Sequence, residues 1–383
     1  MSDVFEHSFA RLIIEICAAG AVLGSLYHLT AIILVLRFPR ASKVARAPFP
    51  AVTILRPLHG NEPGLFCRLA SLCRQDYPGR VDVVCGVQLE NDAAIPVIRL
   101  LQATSHPEID LKIDSSEHGS NRKISNLINM QAAAMHDVVV VTDSDIVVDQ
   151  LYVGSLVGEL QEPRVGAVTC AYHGIAAGGI WAQLSAMSIN LQFLPNAIAA
   201  VSLNAARPCF GATIALHRDV LAQVGGFRPF VDELADDYAI GSAVRALGRA
   251  VVVSRFTVGH LCFERDFRAL WARQLRAART IQAIDPVGYV GTILMHPLAL
   301  SVVAAMLGVS GSFLLISAAL TCRVALCWAI ERAFALPRHR YWLIPVQDAI
   351  AFAIFLTSFL GREVEWRGKS YTVADGALTQ GRR

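Results

Sequence analysis

Val138-Val139-Val140-Val141-Thr142-Asp143-Ser144-Asp145 sets four consecutive valines directly before two carboxylates one residue apart. A run that is apolar on both faces suits a strand in a mostly parallel sheet covered by helices on either side. Such a strand ends at the rim of the sheet, and open α/β sheets bind their ligands at the carboxyl ends of their strands. Asp143 and Asp145 there can hold a hard divalent cation through oxygen while a diphosphate supplies further ligands. Without a cation the two carboxylates repel each other, and the plain alternative is a surface turn with two solvated aspartates.

Outward from this strand, residues from Pro48 to Arg279 alternate short β-rich runs with turn-bounded helical segments, the rhythm of an α/β domain. The clearest further strands are Ala51 to Leu55, Val81 to Val87, Val165 to Cys170 and Ala250 to Ser254. On both sides of this region the texture becomes membrane-like. Leu12 to Leu36 is broken only by Glu15 and His28 and is long enough to cross a hydrocarbon core of about 30 Å as a helix. Arg37, Arg40, Lys43 and Arg46 follow it. Basic residues at that end put it in the cytoplasm and the amino terminus outside. No small-residue cleavage site follows, so the segment reads as a retained anchor.

After Pro286 no Asp, Glu, Lys or Arg occurs until Arg323, and Gly308, Ser310, Gly311 and Ser312 interrupt the run, which leaves room for two membrane helices. A third apolar run, Tyr341 to Leu360, contains Asp348 and either spans or re-enters. Arg332, Arg338 and Arg340 put the loop before it in the cytoplasm. In the tail, Val364, Trp366, Tyr371 and Val373 alternate around Arg367-Gly368 as in a small hairpin. The expected division is an anchor with its basic flank (1–45), an α/β domain (46–285), a membrane region (286–361) and a tail (362–383). No internal repeat or low-complexity segment is visible.

Composition agrees: 54% of the 383 residues are hydrophobic and the mean hydropathy is +0.46, too apolar for an ordinary soluble enzyme. A net charge of +3 with no continuous basic stripe gives no case for nucleic acid. The nine cysteines show neither C-x-x-C nor paired histidine spacing, so they suggest a reducing, cytosol-facing domain. There is no Gly-x-Gly-x-x-Gly fingerprint and no phosphate-binding loop, which disfavours nicotinamide enzymes and ATPases.

A second acidic cluster, Asp232-Glu233-Leu234-Ala235-Asp236-Asp237-Tyr238, precedes a helical pattern from Ala239 to Leu247. Asp232 and Glu233 read as helix-capping residues favoured by the helix dipole. Asp237, at the opening of the helix beside a cleft, suits a general base, and Asp236 supports the helix start or the orientation of that base. Arg273 and Arg276, with Arg279, share one helical face by their spacing. Guanidinium groups there could grip a leaving diphosphate or lie on anionic headgroups.

Together these stretches resemble the ceramide glucosyltransferase family, glycosyltransferase family 21. The resemblance runs through Val52-Thr53-Ile54-Leu55-Arg56-Pro57-Leu58-His59-Gly60, Gln75-Asp76-Tyr77-Pro78, Asn121-Arg122-Lys123-Ile124-Ser125-Asn126-Leu127, Asp143-Ser144-Asp145, Asp236-Asp237-Tyr238 and Arg273-x-x-Arg276. It implies a GT-A domain with one N-terminal and two to three C-terminal transmembrane helices. It also implies that Asp92 contacts the nucleotide, that Lys123 lies near it, that Asp143 and Asp145 form the Mg2+ or Mn2+ and diphosphate site, and that Asp237 is the general base. The family's terminal motif is matched at Arg273 and Arg276 and broken by Ala277, where the family has Trp. Arg56-Pro57-Leu58-His59-Gly60-Asn61-Glu62-Pro63-Gly64 and Ala206-Arg207-Pro208-Cys209-Phe210-Gly211 are similar also to a bacterial branch that glycosylates hopanoid lipids.

The resemblance therefore implies transfer of a sugar from UDP-glucose or UDP-N-acetylglucosamine to a membrane lipid hydroxyl, with inversion, on the cytoplasmic face of a bilayer such as a bacterial inner membrane. Asp237 would take the proton while the metal and Arg276 stabilise the departing diphosphate. The rivals are a processive polysaccharide synthase, for which a few apolar spans make a thin channel, and an inactive membrane scaffold, against which the three retained acidic elements speak.

Overall fold

The computed structural model describes residues 2–38, 45–104, 109–361, 363–366, 369–374 and 377–380, with backbone alone for residues 2–12 and for the tail strands. Arg40 and Lys43 of the basic flank, and Arg367-Gly368 of the expected tail turn, lie outside the described residues.

Ten strands build the central domain: β1 Val52–Pro57, β2 Val81–Val87, β3 Ile109–Ile113, β4 Val138–Thr142, β5 Ile146–Val147, β6 Val165–Thr169, β7 Tyr172–Ala176, β8 Thr213–His217, β9 Ala250–Val253 and β10 Val258–Cys262. The main sheet has the order β3-β2-β1-β4-β8-β6-β9. β3, β2, β1 and β4 run parallel, and β8 runs antiparallel to both of its neighbours, β4 and β6. All of β4 is buried, as its valines require, because each face of the sheet carries its own apolar layer. A small second sheet, β5-β10-β7, branches from the end of β4. Five of these strands are those expected; β3, β5, β7, β8 and β10 are additional, and none carries an apolar run as long as β4.

The N-terminal helix spans Ser2–Arg37. Three other helices match it in length and hydropathy as candidate membrane spans: Ile180–Ser202, Ser312–Ala333 and Tyr341–Ser358. Two expectations need correcting. The first C-terminal membrane helix is a broken pair, Pro286–Met295 and Pro297–Met306, bent by 70°. Proline at 297 cannot donate to the preceding turn, which is the physical cause of such a break. Secondly, the region read as purely α/β contains the apolar helix Ile180–Ser202, with a π-helical turn at Ile189–Phe193. Some 67% of its most apolar window is buried inside the protein, so it serves as core.

That helix fastens the domain to the membrane side. Ala31, Val35 and Phe38 of the N-terminal helix, Leu184, Met187, Leu191, Leu194 and Ile198 of the π-bent helix, and Leu326, Ile330, Leu343 and Ile344 near the C-terminus form one buried cluster. Polar ties reinforce it. Asn190 holds Gly174 of β7 through both backbone groups, at 2.7 and 3.0 Å, and donates to His339 Nε2 at 3.0 Å. His339 Nδ1 lies 3.0 Å from Glu331, whose other oxygen accepts from Tyr341 at 2.7 Å. The tail backbone forms three antiparallel strands, Glu363–Trp366, Lys369–Ala374 and Ala377–Gln380.

Arg323, fully buried, donates to Asp348 through Nε at 2.8 Å and through Nη2. It also contacts His28 Nε2 at 3.2 Å and donates to the Leu191 carbonyl at 2.9 Å. Removing one partner of a buried ion pair strands the other charge. Arg323→Leu should therefore destabilise the protein by about 3–5 kcal/mol, and adding Asp348→Val should recover more than half of that loss. Thermal unfolding in detergent would check it; a double variant melting no higher than the single one would show that the two charges are not coupled.

Candidate active site

The turn after β4 is held from below by Arg56, a fully buried residue of β1. Its guanidinium donates to the carbonyls of Ser144 and Ile146, each at 2.8 Å, and to Thr142 Oγ1 at 3.3 Å. Burial and the nearby Arg68 charge push its pKa down to about 10, so it stays charged at neutral pH. Arg68, also buried, donates to Pro63 O and to Glu62, while Glu62 accepts from Ser144 Oγ at 3.1 Å. Burial, and then the charge of Asp145, hold the Glu62 carboxyl above its ordinary range.

β10 pairs His260 with Ile146 of β5 and its Leu261 N–H donates to the Asp145 carbonyl at 2.9 Å. This register brings His260 Nδ1 to 3.3 Å from Asp145 Oδ1. Arg273, on the helix Phe267–Ile284, donates to His260 Nε2, to Glu264 and to Ser185 Oγ. With Nε2 accepting from an always-charged guanidinium, the imidazole proton sits on Nδ1 and faces Asp145. Burial alone would raise the Asp145 pKa; His260, Arg273 and Arg56 outweigh it and hold the carboxyl well below the usual range.

The helix Arg122–Met130 starts on the other side of the turn, capped by Asn121, whose side chain accepts from Ile124 N at 3.1 Å. Its first turn puts Lys123 Nζ 2.9 Å from Asp143 Oδ1 and 3.0 Å from Asp236 Oδ2. Lys123 is thus an internal counter-ion and not a solvated loop lysine. Burial opposes its charge, but Asp143, Asp236 and Asp237 raise its pKa above the ordinary lysine value. Asp236 and Asp237 open the helix Asp236–Ala246 and point apart. Asp236 is buried against Lys123 and, at 3.3 Å, Asn121 Nδ2. Asp237 accepts from Gly211 N at 2.7 Å and from Tyr238 N at 2.8 Å. Burial, then Asp236, push its pKa up to about 6.

Gly211 shows how close these groups lie. A Cβ there would come 3.1 Å from Asp237 Oδ2, 3.4 Å from Lys123 Nζ and 3.5 Å from Asp143 Oδ2. Asp143, Asp145, Lys123, Asp236, Asp237 and Arg273 are therefore gathered at one end of the sheet. Arg276 sits one turn beyond Arg273, half-buried. Asp92, 5% exposed, accepts from Gly60 N at 2.8 Å and Ala94 N at 2.9 Å and so clamps the loop after β1. Asp232 does not cap its own helix, which begins four residues later; it accepts from Ser120 N and Oγ at 2.8 and 3.0 Å and thereby fastens the Lys123 loop, which corrects the capping reading.

The donor set fits a hard divalent cation. Asp145 Oδ1 is buried and faces only His260 Nδ1, at 3.3 Å, beside a second carboxylate whose Oδ1 is taken by Lys123. Oxygen ligands of this kind are what Mg2+ and Mn2+ require.

A model of glycosyl transferase family 21 matches residues 16–379 of the chain. The chain is 33% identical over 134 residues to a ceramide glucosyltransferase of Gibberella zeae, covering 32% of this chain and 25% of that protein. It is 24% identical over 213 residues to ceramide glucosyltransferase 1 of Caenorhabditis elegans, covering 54% of this chain and 44% of the relative. The chain thus spans less than half the length of either. Among solved structures, a mannosyltransferase from Pyrobaculum calidifontis in complex with GDP-Man and Mn2+ aligns with a TM-score of 0.50 and 21% identity, covering 90% of this chain and 99% of that one. This likeness shows the expected GT-A fold.

Replacing Arg56 by Met should leave the Ser144 and Ile146 carbonyls buried without donors. The expected cost is about 2–5 kcal/mol, two unsatisfied acceptors, read as a lower melting temperature. A variant that melts within a degree of wild type would show that the turn does not depend on this side chain.

Proposed function

Because the chain belongs to glycosyl transferase family 21, we propose that it transfers a hexose or N-acetylhexosamine from a UDP-sugar to the hydroxyl of a membrane lipid, with inversion. The observation that carries this reading is Asp237, a carboxylate with its pKa pushed up to about 6, gathered with the Asp143 and Asp145 pair at one end of the sheet. The relatives' names support a ceramide-type acceptor. A hopanoid-type lipid is the second reading, favoured by one observation: the Ala206–Gly211 stretch similar to that branch ends on the Gly211 N–H that binds Asp237.

In this reading Asp237 accepts the proton of the acceptor hydroxyl as that oxygen attacks the anomeric carbon from the face opposite the diphosphate. Lys123 lies between Asp143 and Asp236, at 2.9 and 3.0 Å, and holds them at fixed distances. Arg273, fixed by Glu264, Ser185 and His260, backs the imidazole that faces Asp145, and Arg276 presents a further positive charge one turn away. Asp143 and Asp145 would hold Mg2+ or Mn2+, which when bound would supply Lewis-acid stabilisation of the leaving diphosphate. A metal is supported also by the Mn2+ of the mannosyltransferase structure. The basic residues after the N-terminal helix favour a cytoplasmic catalytic domain, in a bacterium on the inner membrane, where nucleotide sugars are made.

Incubating the purified protein with UDP-glucose or UDP-N-acetylglucosamine and a membrane lipid extract should give a lipid heavier by one sugar in mass spectrometry. Excess EDTA should abolish the product and Mn2+ or Mg2+ should restore it. Full turnover in EDTA would remove the metal from the reading, and no glycolipid with any nucleotide sugar would remove the transfer.

Asp237→Asn should lower turnover by roughly 10²- to 10⁴-fold with donor binding nearly unchanged, the scale of a lost general base. Asp236→Asn, which leaves Lys123 paired with Asp143, should cost less. In the wild type kcat/KM should fall as the pH drops through about 6, because protonation removes the accepting lone pair. A profile flat down to pH 5 would assign the base elsewhere.

A further inference from the structure

We infer that the hydroxyl of Tyr172 holds the sugar being transferred, as a hydrogen-bond donor standing between Asp237 and the Asp143 and Asp145 pair. The inference rests on the transfer reading above and adds to it a residue that meets the sugar itself.

Tyr172 opens β7, and the parallel register of β7 against β10 pairs it with Val258, two residues before His260. Side chains two apart on a strand share a face, so the Tyr172 ring lies beside that of His260, with centroids 5.3 Å apart. His260 Nδ1 is itself 3.3 Å from Asp145 Oδ1. The π-helical turn Ile189–Phe193 is tied to the same strand, because Asn190 holds Gly174. It ends on Phe193, which stacks on Tyr172 at 4.2 Å and 21°. Phe193 meets Phe210 edge-on at 5.3 Å, and Phe210 precedes Gly211, whose N–H binds Asp237. The rings of His260, Tyr172, Phe193 and Phe210 therefore run in series from the Asp145 side of the site to the Asp237 side.

In this row only Tyr172 carries a polar group that the protein leaves unused. Both nitrogens of His260 are engaged, one with Arg273 and one facing Asp145, and the two phenylalanines have none. The Tyr172 hydroxyl makes no hydrogen bond among the described residues, although the side chain is half-buried. A tyrosine so enclosed normally finds a partner for its O–H. Its surroundings also place it: burial raises the phenol pKa above the ordinary tyrosine value, Arg273 opposes that rise, and Asp237, Asp145 and Asp143 add to it. The hydroxyl thus lies within the field of the carboxylates on both sides of the cleft, and it stays protonated, able to donate.

An inverting displacement sets the anomeric carbon between the attacking and the leaving oxygen. With Asp237 on the attacking oxygen and the Asp143 and Asp145 pair on the diphosphate side, the space between them belongs to the sugar. A hexose offers hydroxyl oxygens there, and an N-acetylhexosamine offers its acetamido carbonyl as well; each accepts from a neutral O–H. The stacked Phe193 holds the Tyr172 ring before the sugar arrives, so little side-chain freedom is lost on binding. A fixed donor of this kind selects among sugars by the position of their oxygens, and that choice is made by the sugar and not by the uridine diphosphate that carries it.

The test is isothermal titration calorimetry of the full chain in detergent with Mg2+, comparing the wild type with Tyr172→Phe for UDP, UDP-glucose and UDP-N-acetylglucosamine. Tyr172→Phe keeps the stacked ring and should melt at the wild-type temperature, because the hydroxyl bonds nothing in the protein. UDP should bind both proteins equally. The UDP-sugar that the wild type prefers should bind the variant about 3- to 10-fold more weakly, the scale of one neutral hydrogen bond. Equal weakening of UDP and UDP-sugar would put the hydroxyl on the nucleotide and overturn the inference; so would unchanged affinity for both sugars, or a variant that melts several degrees lower. Binding is read here without turnover, so these outcomes leave the transfer reading standing, whereas a wild type that binds neither UDP-sugar would remove that reading and the inference with it.

Discussion

The Lys123 ammonium is the point on which the site rests. Asp143 at the end of the central strand and Asp236 at the start of a helix both lie within 3.0 Å of it, and they come from segments almost a hundred residues apart. Without an internal cation, three carboxylates in one half-buried space would protonate or push the helix away from the sheet. With it, Asp143 and Asp236 share one positive charge. Asp237, one step around the helix, is left bonded only to backbone N–H groups. The division of labour between the adjacent acids follows from helix geometry: neighbours point about 100° apart, so one takes the lysine and the other the cleft.

Arg56 performs the complementary task beneath the β4 turn. It binds backbone and not carboxylate, so it fixes the position of Asp143 and Asp145 without consuming their charge. On the far side, Arg273 bonds the ring of His260, which faces Asp145. Cations at graded distances thus surround the pair, and Asp145 Oδ1 is buried with His260 Nδ1 3.3 Å away.

The part of this legible in the sequence was the part written in local pattern. The valine run, the spacing of Asp143 and Asp145, and the acids opening a helix after Gly225-Gly226 each occupy a few consecutive residues. His260 and Glu264 were invisible because their place depends on a two-residue strand, β5, that no propensity argument finds. Arg56 reads from sequence as one polar residue in a strand; only the fold shows that it points beneath the next turn. Asp92 and Asp232 were recognised as acids worth naming, and each uses its Oδ1 to hold a loop, through backbone N–H groups for Asp92 and through a backbone N–H and a hydroxyl for Asp232. Ile180–Ser202 was passed over because its apolar residues, interleaved with Gln183, Ser185 and Asn190, look like an ordinary domain helix; in the structure Asn190 bonds across to Gly174 and Ser185 accepts from Arg273.

The buried cluster that joins Ala31, Val35 and Phe38 to the π-bent helix and to Leu326, Ile330 and Leu343 has a practical corollary. The sheet domain shares its core with the apolar helices. A fragment trimmed to residues 46–285 would lose the side chains that cover Leu184, Leu191 and Ile198, each uncovered apolar side chain forfeiting about 1.5–3 kcal/mol. Its bare flank would stick to itself in water. Handling the protein therefore means handling it as one body, with a detergent or lipid collar around the apolar helices.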